Sequence, residues 1–376
     1  MVDSSTANPV AANDFARQWE DISTDALAAI DRVGRSGWLI LGEEVAAFER
    51  ELARWWGIEH AVGVASGLDA LEIGLRCAGV KPGDRVLTTP LTAFATTLAI
   101  LRAGAEPVWG DVDESGGLDL DIAAEALATD PTIRALMPVH LYGHPLDLSA
   151  LRELAATHDV ALVEDCAQSA GARLDGEPTG AAGIAAGTSF YPTKNLGALG
   201  DGGALLTADA EVAARARQLR DYGQTARYEH AVVGLNSRLD ELQAAIMKDA
   251  LLPRIDGYLD RRREVARRYD EALEGSDLRP IAPRQGTSAH HLYPVVVVDR
   301  DPAETLAALR EAGILVGRHY PFVCPDQEAV AGVGVALGEL PVARRLAARE
   351  LSLPLHPYLT DPEVDRVIAA CEAALG

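Results

Sequence analysis

Apolar residues recur every three to four positions from Glu43 to Trp56, with Val45, Phe48, Leu52 and Trp56 on one face, which predicts an amphipathic helix. Beyond it the pattern tightens into short apolar runs at 61–65, 86–89, 107–109, 135–140 and 160–165, the form taken by strands buried on both faces. Helical patterns at 93–102 and 148–157 separate some of these runs, so the rhythm is a repeated βαβ and the pairing is expected to be mainly parallel. Two shorter strands are predicted at 187–190 and 204–207, the second following Gly197, Gly200, Gly202 and Gly203. A helical stretch starting near Leu239 meets Pro253, and a basic helix carrying Arg261, Arg262, Arg263, Arg267 and Arg268 takes over as a bridge.

After the bridge comes a smaller α/β unit: a strand at 292–298, a helix at 303–312, a strand at 314–317 and a last helix bearing Val364, Val367, Ile368, Cys371 and Leu375. Asp361 and Pro362 suit the N-cap and first turn of that helix. The expected division is a large domain over 1–250, its first 12 residues a loose tail with order beginning near Phe15, and a small C-terminal domain over 251–376.

Composition narrows the function. The 376 residues are 48% hydrophobic, ample for a large domain and a smaller one. The net charge is 34 − 56 = −22, which repels a phosphate backbone and argues against nucleic acid as a partner, while a small anion held at a helix N-terminus stays open. Cys77, Cys166, Cys324 and Cys371 are too scattered for a disulfide framework or a zinc site, so the expectation is no metal and a reducing, cytoplasmic setting. The N-terminus, with Asp3 and Asp14, lacks the apolar core of a signal peptide. No run of about 18 apolar residues predicts a membrane span.

Three clusters carry candidate chemistry. Glu164-Asp165-Cys166-Ala167-Gln168 follows an apolar run, placing carboxylates at the carboxyl end of a strand, where open α/β sheets bind ligands. Asp165 there can bind a metal, act as a base, pair with a protonated ring nitrogen or cap the next helix. Ser189-Phe190-Tyr191-Pro192-Thr193-Lys194-Asn195 ends in the one lysine between Lys81 and Lys248, at a position suited to a Schiff base or to an ordinary surface lysine. Ser66-Gly67-Leu68-Asp69-Ala70-Leu71 is a small-residue turn into a helix, able to hold a phosphate or to serve only as an N-cap. It is not a Walker loop, and the missing G-x-G-x-x-G argues against a nicotinamide oxidoreductase. Jointly, a phosphate turn, a strand-end carboxylate and a strand-end lysine describe a pyridoxal 5′-phosphate site.

On these residues, together with Ser36-Gly37-Trp38, Leu41-Gly42, Asn236-Ser237-Arg238-Leu239-Asp240-Glu241, His319-Tyr320-Pro321 and Leu351-Ser352-Leu353-Pro354-Leu355, nearly the whole chain resembles the DegT-type nucleotide-sugar aminotransferases. The resemblance implies an α/β fold-type I (aspartate aminotransferase-like) transferase, its large domain built on a mainly parallel mixed sheet between helices. It implies that Lys194 would hold the cofactor aldehyde and carry protons, Asp165 would bind the pyridine nitrogen and Gln168 would lie near the ring. The amides of Gly67 and Leu68 and the Ser189 hydroxyl would hold the phosphate, and Phe94 would stack on the ring. Asn236 would reach the phosphate of a second subunit in a homodimer with shared sites. Tyr191, Arg227, His319 and Tyr320 would meet the sugar nucleotide.

Two departures matter. Gly67-Leu68 stands where many relatives carry a threonine after the glycine, which leaves more of the phosphate grip to backbone amides, and Cys166 replaces a common alanine. A sister branch that removes hydroxyl groups has histidine in place of the lysine, so Lys194 favours transamination. The runs 67–71 and 221–228 look more like relatives acting on 3-keto dTDP-sugars than on 4-keto sugars, with L-glutamate as the implied donor. A keto-cyclitol acceptor and a non-catalytic pyridoxal phosphate-binding regulator are the alternatives.

Overall fold

The seven apolar runs up to residue 207, joined by an eighth strand at Val335–Ala336 that the pattern does not predict, form one sheet. The computed structural model describes residues 8–375. Its strands β1 (His60–Val64), β2 (Arg85–Thr88), β3 (Glu106–Trp109), β4 (Ile133–Met137), β5 (Ala161–Asp165), β6 (Ala185–Ser189), β7 (Gly203–Thr207) and β8 (Val335–Ala336) lie in the order β1-β7-β6-β5-β4-β2-β3-β8. Only β7 runs against its neighbours, β1 and β6; every other pair is parallel. The carboxyl ends of β1, β5 and β6 therefore share one edge.

Side-chain alternation explains why this sheet is covered on both faces. Val86, Ala135, Met137 and Val163 pack under the helices α3 (Gly67–Cys77) and α4 (Phe94–Arg102). Their sequence neighbours Leu87, Leu136 and Leu162 pack on the opposite side against the helices Leu120–Thr129 and Leu148–His158. The helices α1 (Phe15–Ser36) and α2 (Glu43–Trp56) add a further core with Phe190, Leu206 and Leu239. A second sheet, Leu278–Pro280, Tyr293–Val297 and Glu350–Leu353, is antiparallel and is covered by the Pro302–Glu311 and Asp361–Leu375 helices.

Four expectations are corrected. Residues 1–7 lie outside the described residues, but the rest of the expected tail is tied down: Val10 is buried, its N–H bonds the Gly313 carbonyl at 2.8 Å, and its carbonyl accepts from Leu315. Residues 314–317 form single bridges, Val10 to Ile314 and Gly317 to Ser352, rather than a strand. Pro253 does not end the helical stretch. The chain passes from Glu241–Ile246 through a π turn (Met247–Leu251) and a 3₁₀ turn (Leu252–Arg254) into the Ile255–Leu273 helix, so the missing proline N–H is absorbed without a break.

The fourth is the division at residue 250. One helix serves both cores: Ile255 and Leu259 pack with α1 and α2, while Val265, Ala266, Tyr269 and Leu273 pack on the antiparallel sheet. The chain also returns to the large sheet after residue 320, through β8 and through Cys324 and Val330 against Trp109. Among the described residues no helix is long and apolar enough to cross a membrane.

Candidate active site

The turn after β1 builds an anion cradle. Ser66 is extended, with its Oγ accepting the Asp69 N–H at 3.1 Å, so α3 starts abruptly at Gly67. The N–H groups of Gly67 and Leu68 have no acceptor among the described residues. They point out of a helix N-terminus, where an anion gains from both the free donors and the dipole. Ser189, the last residue of β6, is drawn close: a Cβ on Gly67 would stand 2.6 Å from Ser189 Cβ. A Cβ on Gly203 would stand 2.5 Å from the Gly67 nitrogen, so this glycine lets β7 lie directly behind the turn. Gly67→Ala is expected to push the turn off Ser189, costing about 1–3 kcal/mol of stability and weakening cofactor retention. Thermal melts and cofactor titration of the variant check this, and unchanged retention would contradict the cradle.

The Asn236-to-Glu241 run braces this turn from behind. Ser237 Oγ donates to Asp69 Oδ2 at 2.7 Å and accepts from the Ala65 N–H at 3.1 Å. The buried Glu241 carboxylate accepts N–H groups of Gly42, Glu44 and Val45 at 2.8, 3.0 and 2.8 Å, capping α2. Asn236 itself is exposed and does not line its own chain's cavity.

Asp165, at the end of β5, is buried at 4% exposure. Its Oδ1 accepts from the Ala167 N–H at 3.0 Å and its Oδ2 from the Thr96 hydroxyl at 2.8 Å, leaving the negative charge without an ion-pair partner among the described residues. Burial raises its pKa, opposed by those bonds and by Lys194. The adjacent Glu164 points to the opposite face and locks the strand end. It takes N–H bonds from Gly180, Ala182 and Gly183 and from His140, 2.9 Å away. Since His140 Nδ1 accepts the Leu146 N–H at 3.1 Å, its Nε2 carries the hydrogen given to Glu164. With Cys166, these residues cluster within 4.8 Å of one another. The pairing already occupies both ring nitrogens, so the cluster is a structural brace.

Lys194 lies in the turn after β6, its N–H bonded to the Tyr191 carbonyl at 2.8 Å. The side chain is half-buried, lines the same cavity as Asp165, and makes no hydrogen bond among the described residues. Burial pushes its pKa down to about 8, against the pull of Asp165. An amine in that range is available as a nucleophile near neutral pH. Gln168 is fixed by two bonds: its Oε1 accepts the Tyr142 N–H at 2.6 Å and its Nε2 donates to the Tyr320 hydroxyl at 3.1 Å.

The cavity lined by Gly67, Leu68, Asp165, Ser189 and Lys194 has a volume of about 470 Å³, and Gln168 stands behind its wall. His319, Tyr320 and the exposed Tyr191 form its outer wall. Ala93 and Ala95 line it too, while Phe94 between them is half-buried and packs against Trp109, Cys324 and Val330. Arg227 lies elsewhere, on an exposed hairpin turn with its guanidinium 5.0 Å from the Tyr228 ring. Sequence reasoning overlooked Thr96, Tyr142, His140 and His291. His291 lines the cavity beside Lys194, with its Nδ1 3.3 Å from Asn195 Oδ1. Their signal was weak, because each acts through partners distant in the chain.

The donor set fits pyridoxal phosphate. Two free amides and a hydroxyl await a phosphate, a buried unpaired carboxylate awaits a cationic ring nitrogen, and an amine of lowered pKa awaits an aldehyde. Fold and site together define a fold-type I, pyridoxal phosphate-dependent transferase. The chain belongs to the DegT/DnrJ/EryC1/StrS aminotransferase family, whose model matches residues 20–372.

Among its relatives is the dTDP-3-amino-3,4,6-trideoxy-α-D-glucose transaminase of Streptomyces venezuelae, 42% identical over 359 residues, covering 95% of this chain and 94% of the relative. A crystal structure of S. venezuelae DesV in complex with a ketimine intermediate matches with a TM-score of 0.93 at 42% identity, covering 98% of this chain and 99% of that one. NtdA of Bacillus subtilis, solved with the bound cofactor PMP, matches with a TM-score of 0.89 at 26% identity, over 99% of this chain and 86% of its own.

Proposed function

We propose that the protein transfers an amino group from L-glutamate to a nucleotide-linked keto-deoxysugar, with dTDP-3-keto-6-deoxyhexose the favoured acceptor. The observation that carries the reading is the free Lys194 amine facing the buried, unpaired Asp165 in a cavity floored by the Gly67–Leu68 amides. The choice of acceptor rests on the Streptomyces relative, whose name places the amino group at C3 of a dTDP-sugar.

Pyridoxal phosphate, when bound, supplies an electrophilic carbon for amines and a ring that accepts the electron pair of a deprotonated substrate carbon. The chain's residues do the rest. Gly67 and Leu68 N–H groups and the Ser189 hydroxyl grip the phosphate, and Asp165 holds a proton on the ring nitrogen by pairing with its positive charge. Gln168, pinned by Tyr142 and Tyr320, orients the ring edge. Ala93 and Ala95, which line the cavity at the start of α4, flank the ring in place of Phe94, whose side chain packs away on Trp109, Cys324 and Val330. Lys194 Nζ takes the proton from the donor's nitrogen-bearing carbon and returns it at a second carbon, then repeats the transfer in reverse on the sugar. Tyr191, His319 and Tyr320 contact the sugar, and Arg227 meets the diphosphate if its hairpin folds over a site.

The assembly is a homodimer in this reading. Trp38, Leu39 and Ile40 are exposed at 63%, 52% and 39%, a contiguous apolar surface at the end of α1 beside the Asn236-to-Glu241 run. Asn236 is exposed and outside its own cavity, which supports the role the family resemblance gives it, reaching the other subunit's phosphate. The free thiols Cys77, Cys166, Cys324 and Cys371 support a cytoplasmic enzyme.

The test offers cofactor-loaded protein and L-glutamate three acceptors: a dTDP-3-keto-6-deoxyhexose, its 4-keto isomer and a keto-cyclitol. Aminated product is measured by mass spectrometry and subunit mass by light scattering. A preference for the 3-keto sugar of about tenfold or more in kcat/KM, from a dimer, is expected. Faster turnover of the cyclitol would overturn the nucleotide reading, and an active monomer would overturn the shared site.

A further inference from the structure

Behind His319 lies a hydrogen-bond chain that starts at the cavity wall, which Ser352 also lines, and ends on a carboxylate outside it. Glu350, at the start of the Glu350–Leu353 strand, is 1% exposed. Its Oε2 accepts the His319 backbone N–H at 2.6 Å, and its Oε1 accepts the Ser352 hydroxyl. Ser352 Oγ is in turn 2.8 Å from His319 Nδ1. A hydroxyl has one hydrogen to give. With that hydrogen directed at Glu350, the contact to His319 is a hydrogen bond only if Nδ1 carries the ring hydrogen. Nε2, which has no partner among the described residues, then offers a lone pair in a residue that lines the cavity. The ring rests over Gly317, where a Cβ would come within 2.9 Å of His319 Cε1, so the seat depends on glycine.

We propose that Glu350 and Ser352 are positioning residues that set the tautomer of His319, making Nε2 an acceptor for a sugar hydroxyl when Glu350 is ionised and a donor when Glu350 is protonated. The proton balance is simple. One proton from solvent is taken up in all, and Glu350 is neutralised at Oε1, which then donates to Ser352 Oγ. In full, the Nδ1 hydrogen passes to Ser352 Oγ as the serine hydrogen passes to Glu350 Oε1, and the solvent proton enters at Nε2 from the cavity; Ser352 then donates to the bare Nδ1 and the ring remains neutral.

Burial pushes the Glu350 carboxyl up to about 7, against the bonds from Ser352 and His319 and the charge of Arg318. The phenols of Tyr142 and Tyr320 are the other titratable groups facing it. Burial and Lys194 push the His319 ring down to about 4, so the ring itself stays neutral while Glu350 titrates. The sugar contact rests on the substrate reading above; the tautomer does not.

The test is ring-nitrogen NMR of the full ¹⁵N-labelled protein, with and without pyridoxal phosphate, the His319 signals being assigned by their loss in His319→Gln. Wild-type protein at pH 8.5 is expected to show the Nδ1–H form in about tenfold excess or more, inverting toward Nε2–H by pH 6. In Glu350→Gln the amide oxygen takes the His319 N–H, the NH₂ faces Ser352, and the ring is expected as Nε2–H at both pH values. The same tautomer in Glu350→Gln as in wild type at pH 8.5 would overturn the proposal.

Ser352→Ala keeps the Glu350 bond to the His319 backbone and guards against a misfolded first variant. It is expected to abolish the pH-driven inversion, and a retained inversion would overturn the relay. The accompanying kinetic signature of Glu350→Gln is a KM for the keto-sugar raised about tenfold, with the glutamate half-reaction unchanged. Failure of the substrate reading would show as no turnover in any protein while leaving the ring signals as described.

Discussion

Replacing Lys194 by alanine is expected to abolish amino transfer, lowering kcat by about 10⁴-fold or more, because the proton transfers alone are worth about 10²–10⁴ and the covalent hold on the cofactor is lost as well. The fold should not suffer: the Lys194 side chain makes no hydrogen bond among the described residues, and its removal relieves a desolvated cation. The melting temperature of the ligand-free variant is therefore expected to equal or exceed that of the wild type. Turnover within tenfold of wild type would contradict the assignment. A companion observation follows from the lysine's titration near 8: the rate of cofactor uptake by ligand-free wild-type protein should rise as pH approaches that value and level off above it.

Asp165→Asn is expected to separate function from stability. Removing the charge that pairs with a buried cation costs about 3–5 kcal/mol, which corresponds to a loss of roughly 10²–10⁴-fold in turnover. The ligand-free protein should respond in the other direction. Burial raises the folded-state pKa of Asp165, so the folded chain binds that proton more tightly than the unfolded chain. The resulting stability is complete below the unfolded pKa and is lost as pH rises through the folded one. Asparagine removes this loss, so ligand-free Asp165→Asn should melt above ligand-free wild type at neutral pH and not above it in acid. An active site tuned for its cofactor at the expense of the empty protein behaves this way. A variant less stable at every pH would contradict the view of Asp165 as an unpaired buried charge.

The large sheet was legible because strands covered on both faces are apolar at nearly every position, and Val86-Leu87 and Leu162-Val163 each contribute one residue to each core. The helix α1 was harder to read. Its buried stripe of Ile22, Ala26, Ala29 and Val33 is half alanine, and the exposed Phe15, Trp19, Leu27 and Ile30 blur its face.

The domain boundary was not legible for another reason: the Ile255–Leu273 helix is continuous, and nothing in a regular helical pattern marks where one core hands over to the next. Within the site, Asp165, Lys194 and the Ser66 turn stand at strand ends, where position in the chain announces position in the fold. Gln168 and Tyr320 meet across 152 residues, and Glu350 and His319 across 31. Such contacts leave no local trace. Glu241 illustrates the mixed case: it sits in a run whose resemblance was plain, yet its work of capping α2 emerges only from the bonds to Gly42, Glu44 and Val45.

The most direct test of the central claim, that Lys194 and Asp165 make this cavity a transaminating site, is the absorption spectrum of the cofactor-loaded protein before and after L-glutamate. A long-wavelength band from lysine-bound cofactor is expected, which glutamate replaces with the shorter-wavelength band of the aminated cofactor as one equivalent of 2-oxoglutarate is released per site. A band that no amino donor shifts, with no keto acid formed, would show a site that holds the cofactor without the chemistry, and would contradict that claim.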